Sequence, residues 1–298
     1  MKTLAVVFAH NRPHVLWHCL QTLFNHTATL PDEVVIIDDG STDPLVSSVL
    51  DDAERLWSER TNLVILRKPT NAGFSDSARI AFARARAKNP EHLYLIEGDY
   101  VFAKGGLDAV GDVLTNTEEG RNCFGIAGYD HPDFSRKLHR ENNYPAEMAA
   151  QVGTDNVNRA ALWRPFVAFG QRQAYLIERV SNTCFSSYLN WRHITHVAGR
   201  MPALWDVLTT AADPKPIDGY PASAAFAAAR VVDDGMLSNG LNFVWNRWAI
   251  LNGIDRDRFA CWLNLKPSVA NHISGGGMHA GCDELSTDAH SPSWTGEI

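Results

Sequence analysis

Between residues 3 and 99 the chain alternates four apolar runs of strand length with three helical patterns, and no other feature limits its fold as strongly. TLAVVFA (3–9) is short, β-branched and uninterrupted, as expected of a strand covered on both faces. Pro13 then opens HVLWHCLQTLF, where Val15, Leu16, Cys19, Leu20 and Leu23 recur at helical spacing. EVVIIDDGSTD (33–43) is a second buried strand, stopping at two aspartates and a Gly-Ser turn. DPLVSSVLDDAERLW follows as a helix with Leu45, Val49 and Leu56 among its apolar positions. NLVILRK (62–68) is the third strand, and Ser75 or Asp76 is placed to cap the Ala-rich helix ending near Lys88. HLYLIEGD (92–99) is the fourth strand. This order predicts an α/β fold with a mostly parallel central sheet and helices on both faces.

Open sheets of that kind gather ligands beyond the carboxyl ends of their strands. Asp38, Asp39, Glu97 and Asp99 all fall at such ends. A charge there is costly unless water, a cation or a partner answers it. The two carboxylates of Glu97-Gly98-Asp99 can grip one hard divalent cation that keeps places for phosphate oxygens. The plainer alternative is a solvated strand end whose acids cap the following turn. Asp38-Asp39-Gly40-Ser41 can accept hydrogen bonds from a base or a ribose hydroxyl. It can equally be an Asx-turn, with Asp43 as N-cap of the next helix.

Taken together, VVFAHNRPHVLWHCLQTL, VVIIDDGSTD, Asn71-Ala72-Gly73 and LYLIEGDYVF resemble the GT-A fold glycosyltransferases, family 2 above all. The likeness runs over roughly residues 3 to 110 and implies a Rossmann-like GT-A domain. It also implies a nucleotide-sugar donor, with a UDP-sugar the family's common choice, and a divalent cation, Mn²⁺ or Mg²⁺. By matching position, Asp39 would hold the nucleobase with Asp38 beside it, and Asn71 and Gly73 form the N-x-G element of the donor site. Glu97, standing where the family has aspartate, would approach ribose or metal, and Asp99 would ligate the metal. Val232-Asp233-Asp234 resembles the family's x-E-D segment. Asp234 would then take a proton from the acceptor hydroxyl as it attacks the anomeric carbon with inversion. Read from the residues alone, either acid serves as well as a helix N-cap. His272, in NHISGGG, resembles the C-terminal histidine that completes the metal site, with His279 as a competitor. Gly275-Gly276-Gly277 beside it suits a mobile lid.

A net charge of -7 argues against a protein whose main task is coating nucleic acid. The segment 134–200 departs from this balance, with nine Lys/Arg against four acids and nine aromatics interleaved. Aromatic faces stack on sugars and on bases alike. A glycan or small hydroxylated acceptor is the first expectation, and a nucleic acid bearing a hydroxylated base the second. Residues 1–130 are read as the donor half and 131–298 as the acceptor-binding and catalytic half with a C-terminal lid, in one continuous domain. The second half includes a helix closed by Gly253.

Five scattered cysteines without a CxxC pair fit a reducing compartment and a cytoplasmic enzyme. No apolar stretch approaches the ~20 residues of a membrane span. A nucleotidyltransferase would want a Gly-rich basic loop after the first strand, which HNRPH is not, and an NAD-binding domain would want GxGxxG there. A non-catalytic sugar-binding module stays open. Asp99→Asn or Asp234→Asn separates it, because a binder keeps its function and an enzyme loses turnover.

Overall fold

The structure, a computed structural model, describes residues 2–128, 164–167, 174–180, 187–198, 262–266, 268–273 and 294. Strands β1 (Thr3–Ala9), β2 (Glu33–Asp38), β3 (Asn62–Arg67) and β4 (His92–Glu97) lie parallel in the order β3-β2-β1-β4. Their register aligns the carboxyl ends: Ala9 pairs with Asp38, Asp38 with Arg67, and Phe8 with Glu97. Each of β1, β2 and β4 is buried along nearly its whole length, which explains their uninterrupted apolar runs. β3 is an edge strand, half-buried at its centre and exposed at both ends.

Helices α1 (Pro13–Asn25), α2 (Pro44–Trp57) and α3 (Phe74–Lys88) fill the crossovers. Ala5, Val7, Val34 and Ile36 share one core with α1 and α2. The alternate residues Leu4, Val6, Val35 and Ile37 are equally buried, and α3 packs against β1. Both faces of the sheet are therefore covered.

The chain continues through β5 (Tyr100–Phe102), α4 (Gly106–Asn116), α5 (Glu118–Asn122) and β6 (Gly125–Ala127). Then come β7 (Arg164–Val167), β8 (Ala174–Val180), β9 (Ser187–Leu189), α6 (Trp191–Ala198), β10 (Trp262–Lys266) and β11 (Ala270–His272). The sheet extends past β4 as β9-β6-β10-β8-β7. Pairing directions show β8 and β9 running against the other strands, so the sheet is mostly parallel. β5 and β11 form a separate antiparallel pair.

Two local expectations shift, and in one helix burial selects among the apolar positions. In α2 the buried stripe is Val46, Leu50, Ala53 and Trp57, while Leu45 and Leu56 are exposed. The helix start is set by Asp43, whose side chain accepts from Leu45 N at 2.9 Å, and by Pro44 in the first turn. Helix α3 is capped by Gly73, with no side-chain cap, because the Asp76 carboxylate turns instead to Lys68 and Arg79. The fourth strand stops at Glu97, and Gly98-Asp99 forms a turn into β5. Gly98 is needed there: its N–H bonds Phe8 O at 2.9 Å, and a Cβ would stand 2.7 Å from that oxygen.

Candidate active site

The end of β2 is held by loops from both neighbouring strands. Asp38 Oδ1 accepts from Ser41 N at 3.1 Å and Ser41 Oγ at 2.5 Å, which closes the Asx-turn. The Asp39 backbone N–H reaches Ala9 O at 2.8 Å. Its carboxylate oxygen Oδ1 accepts from Ala72 N at 2.9 Å and from Lys68 Nζ at 2.6 Å. Lys68 also pairs with Asp76 at 2.8 Å. Burial alone would lower the Lys68 pKa, but these two carboxylates outweigh it and hold the ammonium above its usual range. Gly40, at φ 61°, lets the loop after β3 pass close, since a Cβ would lie 2.2 Å from Thr70 C. Asn71 Oδ1 accepts from Gly73 N at 2.8 Å, so the N-x-G element forms the wall beside Asp39.

Asp99 is held by residues far away in the chain. It is 3% exposed, and its Oδ2 lies 3.0 Å from Arg12 Nη1 and 3.1 Å from His272 Nε2. Strand pairing delivers the histidine: His272 is in register with Tyr100, and Ile273 N donates to Asp99 O at 3.0 Å. The Tyr100 and His272 rings meet edge to face with centroids 5.4 Å apart. Cys19 lies beneath, and burial, then the Asp99 charge, pushes its thiol pKa up, so it stays protonated. Glu97 ends β4 half-buried. Among the described residues no three His, Cys, Asp or Glu side chains are gathered as one metal cluster, so the grouping here is the pair Asp99 and His272.

The turn after β1 ties the two acidic ends together. His10 Nδ1–H donates to Asp39 O at 2.8 Å, which leaves Nε2 to accept from the Asn11 and Asn71 amides, each at 3.1 Å. Asn11 Oδ1 accepts from Thr42 N and Asp43 N. Two residues beyond His10, Arg12 reaches Asp99. Asn11 and Arg12 both have left-handed backbone, with φ of 52° and 53°. Such conformations persist where surrounding contacts over-determine them, often at functional sites.

His10, Asn11, Arg12 and Lys68 were not singled out as site residues from the sequence. The available signal was their position, since all four lie within three residues of a strand's carboxyl end, where open α/β sheets bind ligands. Of the expected residues, the structure brings Asp38, Asp39, Asn71 and Gly73 into one cluster, and Asp99 and His272 into another. Asp233, Asp234, His279, the 275–277 glycines and the helix closed by Gly253 lie outside the described residues. The basic and aromatic segment 134–200 is described only in part.

The family model for Glycosyl transferase family 2 matches residues 5–184, more than half of the sequence. The chain belongs to glycosyl transferase family 2. Among curated proteins none matches this family 2 chain. It is similar to solved structures at low identity. With S. aureus TarS it shares 21% identity over 43% of this chain and 21% of that one, at a TM-score of 0.34. A second is the mannosyltransferase PcManGT from Pyrobaculum calidifontis in complex with GDP-Man and Mn²⁺. There identity is 13% over 66% of this chain and 46% of that one, at a TM-score of 0.42. The third is M. tuberculosis glucosyl-3-phosphoglycerate synthase with Mn²⁺, UDP-glucose and phosphoglyceric acid. Identity is 14% over 80% and 79%, at a TM-score of 0.42. The family 2 chain thus spans about a fifth of the first protein and under half of the second. Among its described residues no helix is long and apolar enough to cross a membrane.

Proposed function

We propose that this chain transfers a sugar from a nucleoside diphosphate to an acceptor hydroxyl, with inversion at the anomeric carbon, assisted by Mn²⁺ or Mg²⁺. The observation that carries the reading is the meeting of Asp99 and His272, 173 residues apart, at the same sheet edge as Asp38-Asp39, with β1 between them. A buried carboxylate and an imidazole are an oxygen and a nitrogen donor suited to such a cation, and two protein donors leave its other positions to phosphate oxygens. Asp99 and His272 would hold the ion. Once bound, it would supply Lewis-acid neutralisation of charge on the departing diphosphate.

The remaining work belongs to the chain's own residues. Asp39, anchored through Oδ1 by Lys68 and Ala72, presents Oδ2 to an N–H of the nucleobase. Asp38 shapes the turn beside it, Asn71 and Gly73 form the adjacent wall, and Glu97 reaches toward the ribose. Asp234 takes the proton of the acceptor hydroxyl, for which a carboxylate in a closed site is a suitable base. Residues 1–130 would hold the donor and 131–298 the acceptor, with a UDP-sugar as donor and a glycan or small hydroxylated molecule as acceptor. The reaction would take place in the cytoplasm, which five scattered cysteines without a CxxC pair favour.

A panel of nucleotide sugars tests the reading by thermal stabilisation and by release of nucleoside diphosphate, each with and without Mn²⁺. The expected outcome is a melting temperature that rises with the concentration of one nucleotide sugar, more strongly when Mn²⁺ is present. No stabilisation by any nucleotide sugar under either condition would remove the proposal.

A further inference from the structure

We infer that Arg12 is a positioning residue that competes with the divalent cation for Asp99 and so makes the cation and the nucleoside diphosphate bind cooperatively. The inference rests on the proposed cation site at Asp99 and His272.

Two partners of Asp99 converge on one atom. Arg12 Nη1 lies 3.0 Å from Oδ2, and His272 Nε2 lies 3.1 Å from the same oxygen. With Asp99 almost fully buried, an ion shared by the carboxylate and the imidazole enters the space that the guanidinium now faces. A guanidinium cannot be deprotonated, so it meets the ion as a full like charge. For the ion alone, binding therefore includes breaking a charge-assisted hydrogen bond. With a diphosphate present, the displaced guanidinium gains phosphate oxygens, which match its planar fork.

The backbone supports this assignment. Arg12 occupies the N-cap of α1 at φ 53° and ψ 59°, with no side-chain cap hydrogen bond. That left-handed conformation suits Gly or Asn far better than Arg. An arginine held there against its own preference has its side chain aimed by the turn. The Arg12 side chain is 25% exposed, against 4% for Asp99, so it has a solvent-side route on which to swing.

The test measures Mn²⁺ affinity by electron paramagnetic resonance of the free ion, with and without UDP, in the wild type, Arg12→Asn and Arg12→Gly. Both replacements are neutral and suit the left-handed backbone. The expected result is Mn²⁺ binding about tenfold tighter in the variants without UDP, the order set by releasing one charge-assisted hydrogen bond. The factor by which UDP tightens Mn²⁺ binding should shrink by about the same tenfold in the variants. Arg12→Lys, which keeps the charge, should stay near the wild type in both readings.

Folded variants that bind Mn²⁺ alone no more tightly than the wild type would overturn the inference and leave the cation site standing. In the wild type, UDP that fails to tighten Mn²⁺ binding overturns it whatever the variants do. Absence of Mn²⁺ binding by every protein, with and without UDP, would remove the cation site along with it.

Discussion

Two acidic strand ends sit on one edge of the sheet, and they are held in opposite ways. Asp38 and Asp39 are fastened by nearby loops and by Lys68, through many short contacts within the first 76 residues. Asp99 depends on Arg12, 87 residues away, and His272, 173 residues away. The first end is a preformed wall whose carboxylate geometry is fixed before any ligand arrives. The second has a partly exposed partner, the Arg12 guanidinium, which by the inference above gives way to a cation. A crevice with one rigid and one exchangeable acid suits recognition at one side and charge neutralisation at the other.

The largest effect expected from breaking this contrast is at the exchangeable end. Asp99→Asn keeps the shape but removes the charge, and the rate of nucleoside diphosphate release with Mn²⁺ should fall about a thousandfold. The melting temperature should change little. A variant that keeps more than a tenth of the wild-type rate would detach Asp99 from the chemistry.

At the rigid end, Lys68→Gln leaves the Asp39 and Asp76 carboxylates without their shared cation. UDP affinity, read by calorimetry, should fall by roughly thirtyfold, as expected when one partner of a largely buried ion pair is lost. Unchanged UDP affinity would mean that the geometry of Asp39 does not matter to the donor.

The smallest effect is an acid slope in stability. The hydrogen bond from Lys68, with a lesser one from Arg79, holds the Asp76 pKa below its ordinary 3.8. The unfolded chain therefore binds the proton more readily, so this contribution is complete above the ordinary value and is lost as pH falls through the depressed one. Glu33, at the far end of β2, has a pKa lowered in the same direction: burial opposes the shift, and Arg84 and Lys88 outweigh it. Denaturant unfolding from pH 6 to pH 3 should show a stability loss in both proteins, shallower in Lys68→Gln than in the wild type. Equal slopes would show that the Lys68–Asp76 pair carries no net coupling.

The rigid end was legible in part because its turn is local. Asp38-Asp39-Gly40-Ser41 announces a turn at the end of an apolar run, and Gly40 is required where the next loop passes. Lys68 went unmarked, since a lysine at a strand end reads as ordinary surface until the fold sets it between two carboxylates. In α2 the sequence marks apolar positions without assigning a buried face. Leu45 and Leu56 are as apolar as Val46 and Leu50, but Val46, Leu50, Ala53 and Trp57 form the i, i+4, i+7, i+11 stripe that packs on the sheet.

By itself the sequence determined the strand and helix order, the sheet's parallel half, the family, and the presence of acids at strand ends. Periodicity and turn chemistry act over a few residues, and a linear reading follows them directly. Only the tertiary structure decided which distant side chains answer those acids. The pairing of β11 with β5 puts His272 on Asp99, and the left-handed turn at Asn11 and Arg12 aims a guanidinium at the same oxygen. Contacts across 87 and 173 residues depend on how the chain closes on itself, and no local pattern encodes that closure.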